Sequence, residues 1–450
     1  MVLPVWKSNR LSRLALVVAL LTFALQGSAL GSAPDKRPNV VLILADDLGY
    51  GDIGSYGARF IRTPNIDRLA REGTRLTRFF AGANVCSPSR ASLMTGRYAV
   101  RSGFAKSVLF PFSDYGLDAS EHTLAEVMSD AGYATWMVGK WHLGHVDEAW
   151  PTRHGFAYFF GLPFSNDMPG VALYRNGEMV ESPLDQSAVH AKLIDEAVNL
   201  IRNRGEQPFF LYLATVAPHI PLVPGEEYRN RSRAGRYGDV VEQLDEGIGR
   251  ILYVLEEQGI DENTLVIFTS DNGRAFEGSA GGLRGMKANT WEGAYAVPFI
   301  ARWPRQLAAG GESGGIAMNI DLLPTIAGIA DATLPEDVVL DGRDIFPLLE
   351  GSDDSPHEVL YFFDKDKIAA VRSQRWRYVV STYYSEYQVD HLSEQFHYPL
   401  LFDMAAHGQE LFNVAPNYPD AEQQMLQYLQ RGQAVLEGLP QKETPWPASE

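Results

Sequence analysis

The chain has only one cysteine, Cys86, in 450 residues. A single cysteine cannot form an internal disulfide, and a free thiol in an exported protein is liable to oxidation. A buried, inert core residue is one explanation, since cysteine is often buried. A reactive residue is the other.

Long apolar runs are also lacking. The N-terminal run, from about residue 14 to residue 25, falls short of the roughly 20 residues that a membrane-spanning helix needs. Basic residues precede it and small residues follow it, which predicts a secretory signal peptide over residues 1–33. An uncleaved N-terminal anchor is the alternative. We expect an exported protein, periplasmic or secreted, without stable insertion in a membrane.

Positive charge is scarce, because 39 lysines and arginines face 56 aspartates and glutamates, for a formal net charge of −17. Such a chain repels nucleic acid, so we expect no nucleic-acid partner. If the substrate is an anion, the binding site must supply positive charge locally.

Apolar runs separated by helical patterns predict an α/β fold with a large, mostly parallel sheet covered by helices on both faces. The runs that predict buried parallel strands are residues 40–45, 134–138, 209–214, 265–269 and 297–301. Thr63 and Pro64 predict a helix that begins with a cap and a proline in its first turn.

The pattern changes beyond about residue 335. Residues 368–378 and 398–402 predict short strands, and residues 420–437 predict a terminal helix. A chain of 450 residues is long enough for two cores. We therefore predict a catalytic α/β domain at residues 34–335 and a smaller α+β subdomain at residues 336–450.

Polar residues follow four of the predicted strands at the point where each ends. In chain order they are Asp46 with Asp47, Lys140 with His142, His219, and Asp271 with Asn272. Ligands of open α/β sheets bind beyond the carboxyl ends of the strands, so we expect these groups to meet in one crevice.

The segment CSPSRASLMTGRY, residues 86–98, resembles the signature of the type I sulfatases of the alkaline phosphatase superfamily. The match continues past CxPxR into the SxxTGR portion. In that family a formylglycine-generating enzyme oxidises the cysteine, so the resemblance implies formylglycine at Cys86. Pro88 independently predicts a helix start, whose free N–H groups favour an anion.

The acidic residues predict a cation. Carboxylates of Asp46, Asp47 and Asp271 within about 4 Å would repel by roughly 4 kcal/mol per pair at an effective dielectric near 20. Oxygen ligands, with the amide of Asn272 among them, suit calcium or magnesium rather than zinc. The sulfatase resemblance implies calcium, bound by these four residues and modified Cys86.

Basic residues recur in further segments that resemble sulfatase signatures. GYATWMVGKWHLG contains Lys140 and His142, and LRGMKANTWEG contains Lys287. Together with Arg90, the two lysines would supply the positive charge that an anionic substrate needs. A lysine taken alone is more typical of the solvated surface.

Two further segments resemble the family at single residues. The resemblance implies that Ser165 of GLPFSNDMPG, a feature of the arylsulfatase branch, contacts the sulfate-binding lysine and histidine. It also implies that His219 of APHIP protonates the leaving alcohol. A lone histidine in a loop is otherwise usually a surface residue.

The chain departs from the family pattern in two places. WEGAYAVP has Ala294 and Ala296 where the family commonly has glycine and arginine, and LFDMAAHGQELFNVA lacks an Asp-Pro pair. Neither change touches a proposed catalytic atom, so both bear on the subfamily and the pocket wall.

The resemblance implies hydrolysis of sulfate monoesters, of aryl or carbohydrate type, by a formylglycine hydrate through a covalent sulfo-enzyme. One alternative is a phosphate or phosphonate monoester hydrolase of the same superfamily. Another is a catalytically silent relative that binds calcium or carbohydrate.

Overall fold

The computed structural model describes residues 1–2, 37–381, 400–406 and 408–437. Residues 3–33 of the predicted signal peptide and residues 398–399 of a predicted strand lie outside this part of the chain. From Arg37 onward the chain forms one compact unit. The division predicted near residue 335 stays a prediction.

A ten-stranded sheet forms the centre of the described chain. Its strands are β1 (Asn39–Ala45), β2 (Thr74–Leu76), β4 (Ala134–Lys140), β5 (Tyr158–Leu162), β6 (Leu173–Arg175), β7 (Glu178–Glu181), β8 (Phe209–Ala214), β9 (Thr264–Ser270), β10 (Phe299–Arg302) and β11 (Gly311–Ser313). The short pair β3 (Phe79–Phe80) and β12 (Ala317–Met318) lies outside it.

Helices separate many of these strands. They are α1 (Pro64–Glu72), α2 (Cys86–Thr95), α3 (Leu124–Asp130), α4 (Val189–Arg202), α5 (Gly235–Glu257), α6 (Leu322–Ile329) and α7 (Phe346–Leu349). A second sheet follows, with β13 (Leu360–Asp364), β14 (Lys367–Arg372), β15 (Trp376–Val379) and β16 (Leu400–Asp403), and helix α8 (Pro419–Glu437) ends the described chain.

The large sheet is parallel at its centre and mixed at its edges. Its order is β11-β2-β10-β9-β1-β8-β4-β5-β6-β7, and the five strands from β9 to β5 are parallel to one another. The strand predicted as parallel at residues 297–301 is β10, which runs antiparallel to β9. That prediction was wrong because burial on both faces produces the same apolar run in either strand direction.

Alternate residues of β1 enter two separate cores, which shows that helices cover both faces of the sheet. Val40, Leu42 and Leu44 pack in one core with residues of α2, α3 and α6. Val41 and Ile43 pack in the other core with residues of α1, α4 and α5. The predicted fold class is confirmed.

The second sheet is antiparallel and packs against α8. The single strand predicted at residues 368–378 is two strands, β14 and β15, separated by residues 373–375. Its core also includes Trp291 and Tyr295, which follow β9 in the chain. Within residues 37–381, 400–406 and 408–437, no helix combines the length and apolar character needed to cross a bilayer.

Candidate active site

The four predicted polar clusters lie at the carboxyl ends of β1, β4, β8 and β9. These strands are neighbours in the sheet, in the order β9-β1-β8-β4. The clusters therefore meet at one edge, beside the N-terminus of α2, where Cys86 is the first helical residue.

The aspartates after β1 and β9 are joined directly. Asp47 has a left-handed backbone, with φ at 65°, and its N–H donates to Asp271 Oδ1 at 3.1 Å. The amide nitrogen of Asn272 donates to Asp47 Oδ1 at 2.7 Å. A non-glycine residue in this conformation is uncommon and marks a position that its surroundings hold in place.

Cys86 is buried and faces a lysine amine. Lys287 Nζ donates to Cys86 Sγ at 3.2 Å and lies 2.7 Å from Asp47 Oδ1. Burial raises the pKa of the Cys86 thiol to about 11, although Lys140 and Lys287 oppose this shift.

Arg90 and Lys140 are fully buried and bind two of the carboxylates. The Arg90 guanidinium donates to Asp271 Oδ2 at 2.9 and 3.0 Å. Lys140 Nζ donates to Asp46 Oδ2 at 2.6 Å and to Ser165 Oγ at 3.1 Å. Ser165 therefore contacts the lysine that the resemblance assigns to sulfate binding.

The two histidines each bond one ring nitrogen to a backbone carbonyl. His142 Nε2 lies 2.9 Å from Leu109 O, and its buried Nδ1 has no hydrogen-bond partner among the described residues. His219 Nδ1 lies 2.7 Å from Ile220 O, and its Nε2 lies 3.5 Å from Asp47 Oδ2. Burial, with Lys140, lowers the pKa of His142 well below its usual value.

A metal ion fits the oxygen atoms of this site. Donor atoms of Asp46, Asp47, Cys86 and His219 all lie within 4.8 Å of one another. Asp46 Oδ1 and Asn272 Oδ1 are buried without a hydrogen-bond partner among the described residues. Such oxygens are costly unless something binds them.

Charge balance changes one step of the prediction from sequence. Lys140 and Lys287 contact Asp46 and Asp47, and Arg90 contacts Asp271. Repulsion among the carboxylates therefore does not by itself demand a cation. The case for a metal is instead the two unpartnered oxygens.

The pKa values of Asp46 and Asp271 are shifted in opposite directions. Burial alone would raise the pKa of Asp46, but Lys140, His219 and Arg90 hold that pKa well below its usual range. Burial and the neighbouring Asp46 raise the pKa of Asp271 to about 6, despite Arg90.

Comparison with known proteins identifies the family. A sulfatase model matches residues 38–332, and a model described as N-sulphoglucosamine sulphohydrolase, C-terminal, matches residues 286–434. Human arylsulfatase A is 36% identical over 453 residues, covering 90% of this chain and 89% of that protein. The chain belongs to the sulfatase family. It is an arylsulfatase-like sulfuric ester hydrolase, as the sequence predicted.

Two further proteins resemble this sulfatase over most of its length. Rat N-acetylgalactosamine-6-sulfatase is 39% identical over 359 residues, covering 72% of this chain and 68% of that protein. The solved structure of the PsFucS1 sulfatase from Pseudoalteromonas sp. is 27% identical, with a TM-score of 0.82, and covers 97% of this chain and 96% of that one.

Sequence reasoning missed Asn84 in this sulfatase. Its side-chain amide nitrogen donates to Asn289 O at 3.0 Å, and its backbone carbonyl accepts from the N–H of Ala288 at 2.9 Å. Asn84 thus links the segment before Cys86 to the segment that carries Lys287. Its position before the cysteine signature was the only sequence signal, and it did not reveal this contact.

Proposed function

We propose that this sulfatase carries formylglycine at position 86 and uses the hydrated aldehyde to hydrolyse sulfate monoesters. The observation that carries the proposal is the position of Cys86, at the start of a buried helix and 3.2 Å from the amine of Lys287. The Sγ atom stands where an oxygen of the hydrated aldehyde would be bonded to Cβ.

In the first step one hydroxyl of the hydrate loses its proton, with Asp271 as base, and its oxygen attacks sulfur. The bond between sulfur and the ester oxygen breaks, and His219 donates a proton to the departing alcohol. A sulfate ester then remains on residue 86. The donating form of His219 is the imidazolium, in which Nδ1–H bonds to Ile220 O and Nε2–H is the proton given to the alcohol.

Lys140, Lys287 and Arg90 stabilise the negative charge that accumulates on the sulfuryl oxygens and the nucleophile. Carboxylates hold all three side chains in place, so their charges are preorganised. Ser165 supports Lys140 through its hydroxyl oxygen.

In the second step His142 removes the proton from the remaining hydroxyl. The carbonyl of the aldehyde forms, the bond from carbon to the sulfate oxygen breaks, and sulfate leaves. Water then hydrates the aldehyde again. The unpartnered Nδ1 of His142 supports this role, since a base needs a free lone pair.

We propose calcium, with magnesium as the alternative, as the cation of this site. Asp46, Asp47, Asp271, Asn272 and residue 86 would hold it, and the position of His219 in the same cluster adds a further neighbour. A bound divalent cation supplies positive charge that favours an ionised hydroxyl and anionic sulfuryl oxygens.

We propose sulfate monoesters of aromatic or other apolar alcohols as the preferred substrates, over sulfated carbohydrates. Three large apolar side chains, Phe112, Ile220 and Phe276, are exposed. Phe112 lies three residues after Leu109, whose carbonyl oxygen lies against His142, and Phe276 lies two residues after Arg274, whose carbonyl accepts from the N–H of Lys287. Ile220 directly follows His219. Turnover of a panel of aryl sulfates and sulfated mono- and oligosaccharides tests this preference.

We further propose that the protein is exported and that a formylglycine-generating enzyme matures it. The N-terminal sequence pattern supports export, and the cysteine signature supports maturation.

Parallel turnover of 4-nitrophenyl sulfate and 4-nitrophenyl phosphate tests the reaction class. We expect a higher kcat/KM for the sulfate, and we expect Cys86→Ala to abolish both activities. A higher kcat/KM for the phosphate would favour the phosphate or phosphonate hydrolase alternative. Absence of both activities in mature protein would favour the silent binding protein.

A further inference from the structure

Lys287 lies in a loop of residues 284–293, named here the lysine loop. The N–H of Gly293 donates to Arg284 O at 2.7 Å and closes the loop at its base. Next to the lysine, Ala288 has φ at 67°. A non-glycine residue persists in this conformation only where the surrounding structure holds it. The position of the lysine amine therefore depends on what binds the loop.

Two contacts hold the tip of the lysine loop. Asn84 bonds to Ala288 and Asn289, and the N–H of Lys287 donates to Arg274 O at 2.8 Å. Both partners belong to segments that also carry proposed site residues. The tip is thus tied to the rest of the active site.

Arg377 of β15 and Glu410, in the segment after β16, hold the base of the lysine loop. Glu410 Oε2 accepts from the N–H of Glu292 at 2.8 Å, and the Arg377 guanidinium donates to Thr290 O at 2.6 Å. Arg377 and Glu410 also form an ion pair, and both side chains are fully buried. Arg372 pairs with the Glu292 side chain in the same place.

A buried ion pair is a poor means of stabilising a fold, because desolvation offsets most of the attraction. An apolar pair could fill the same space. It could not, however, bind a backbone N–H and a backbone C=O of the loop. The charged pair, unlike an apolar pair, therefore fixes the backbone positions of Thr290 and Glu292.

We propose that Glu410 and Arg377 are positioning residues for Lys287, through which β15 and the segment after β16 set the position of the lysine amine beside residue 86. This inference rests on the proposed role of Lys287 in catalysis. Neither residue contacts the reacting atoms. They act by fixing the base of the lysine loop, and misplacement of a catalytic group by about 1 Å can cost on the order of 10²-fold in rate.

A double-mutant cycle between Glu410 and Lys287 tests the proposal. Glu410→Gln keeps the shape of the side chain but loses the charge that pairs with Arg377. With 4-nitrophenyl sulfate as substrate, we expect this change to lower kcat/KM by roughly 10-fold to 10²-fold in the native background. In a Lys287→Ala background we expect less than about 2-fold, since residues that act through one another are not additive.

Arg375→Gln is the matched control. Arg375 lies in the turn between β14 and β15 and pairs with Asp403, but its side chain is half exposed and the pair does not touch the lysine loop. We expect unchanged kcat/KM in both backgrounds. If Glu410→Gln does not fold, Arg377→Lys replaces it, because lysine keeps the charge but cannot reach both Glu410 and Thr290 O as the guanidinium does.

Equal losses from Glu410→Gln in the two backgrounds would overturn the proposal, because the residue would then act on the fold rather than through the lysine. An unimpaired Lys287→Ala variant would instead overturn the proposed catalytic role of Lys287. The two failures are therefore distinguishable.

Discussion

At the scale of single residues, the two histidines differ in which nitrogen is left free. A carbonyl oxygen only accepts hydrogen bonds, so in each neutral ring the nitrogen beside a carbonyl carries the proton. His142 therefore presents Nδ1, and His219 presents Nε2. A neutral His142 can therefore accept a proton at Nδ1, whereas His219 must first be protonated at Nε2 before it can donate a proton there.

For His219→Ala we expect a loss that depends on the leaving group. General acid catalysis contributes about 10²-fold to 10⁴-fold, and a poor leaving group such as a sugar alcohol needs all of it. Nitrophenolate needs little protonation, so kcat/KM for a nitrophenyl sulfate should fall much less. Steady-state kcat/KM for both substrate types measures the difference, and equal losses would remove His219 from the acid role.

For His142→Ala we expect ester cleavage followed by a stall. Without a base for the second hydroxyl, a sulfated residue 86 should accumulate after one burst of alcohol. Rapid-mixing measurement of nitrophenol release, with intact mass of the protein, detects both. Absence of a burst and of the sulfated enzyme would show that His142 does not serve the release step.

At the scale of elements, the carboxyl ends of the parallel strands were the most predictable feature. Short apolar runs located β1, β4, β8 and β9, and the residue types after each run indicated what lies at the edge of the sheet. The antiparallel direction of β10 was not predictable, because it depends on which neighbour the strand meets rather than on its own residues.

The start of α1 is a second feature that depends on residues distant in the sequence. Thr63 was predicted as its cap, but the Thr63 side chain makes no capping hydrogen bond and instead accepts from the N–H of Gly54. The carboxylate of Asp245, on α5, accepts from the N–H groups of Asn65 and Ile66. A cap from 180 residues away leaves no local signal.

For Asp245→Ala we expect a loss of about 2 kcal/mol in the free energy of unfolding, because buried N–H groups lose a charged acceptor. Asp195→Ala is the control, since Asp195 forms an exposed pair with Arg250 worth roughly 0 to 1 kcal/mol. Urea titration of both variants measures the difference. Equal stabilities of the two variants would contradict the capping role.

At the scale of the whole molecule, the protein combines a formal charge of −17 with a site that contains three positively charged side chains. Arg90 and Lys140 are fully buried, and Lys287 is mostly buried. The need for local positive charge was predictable from composition. The residues that supply it were predictable from short segments. The support of the Lys287 loop by Glu410 and Arg377 was not predictable, because these residues meet that loop only through tertiary packing.

We expect chelation to lower both activity and the midpoint of thermal unfolding, and calcium to restore both. A ligand that binds only the folded state stabilises it by mass action, and the unpartnered oxygens of Asp46 and Asn272 would otherwise stay unsatisfied. Dialysis against a chelator, followed by calorimetry and assay, measures the effect. Asp46→Asn should weaken the response, and active protein without any divalent cation would contradict the ligand assignment.

The central claim of this account is the chemical state of residue 86. Peptide mass spectrometry of active enzyme, correlated with specific activity across preparations, tests it most directly. We expect formylglycine at position 86 and activity in proportion to its fraction. Fully active protein in which residue 86 is an unmodified cysteine would contradict the account.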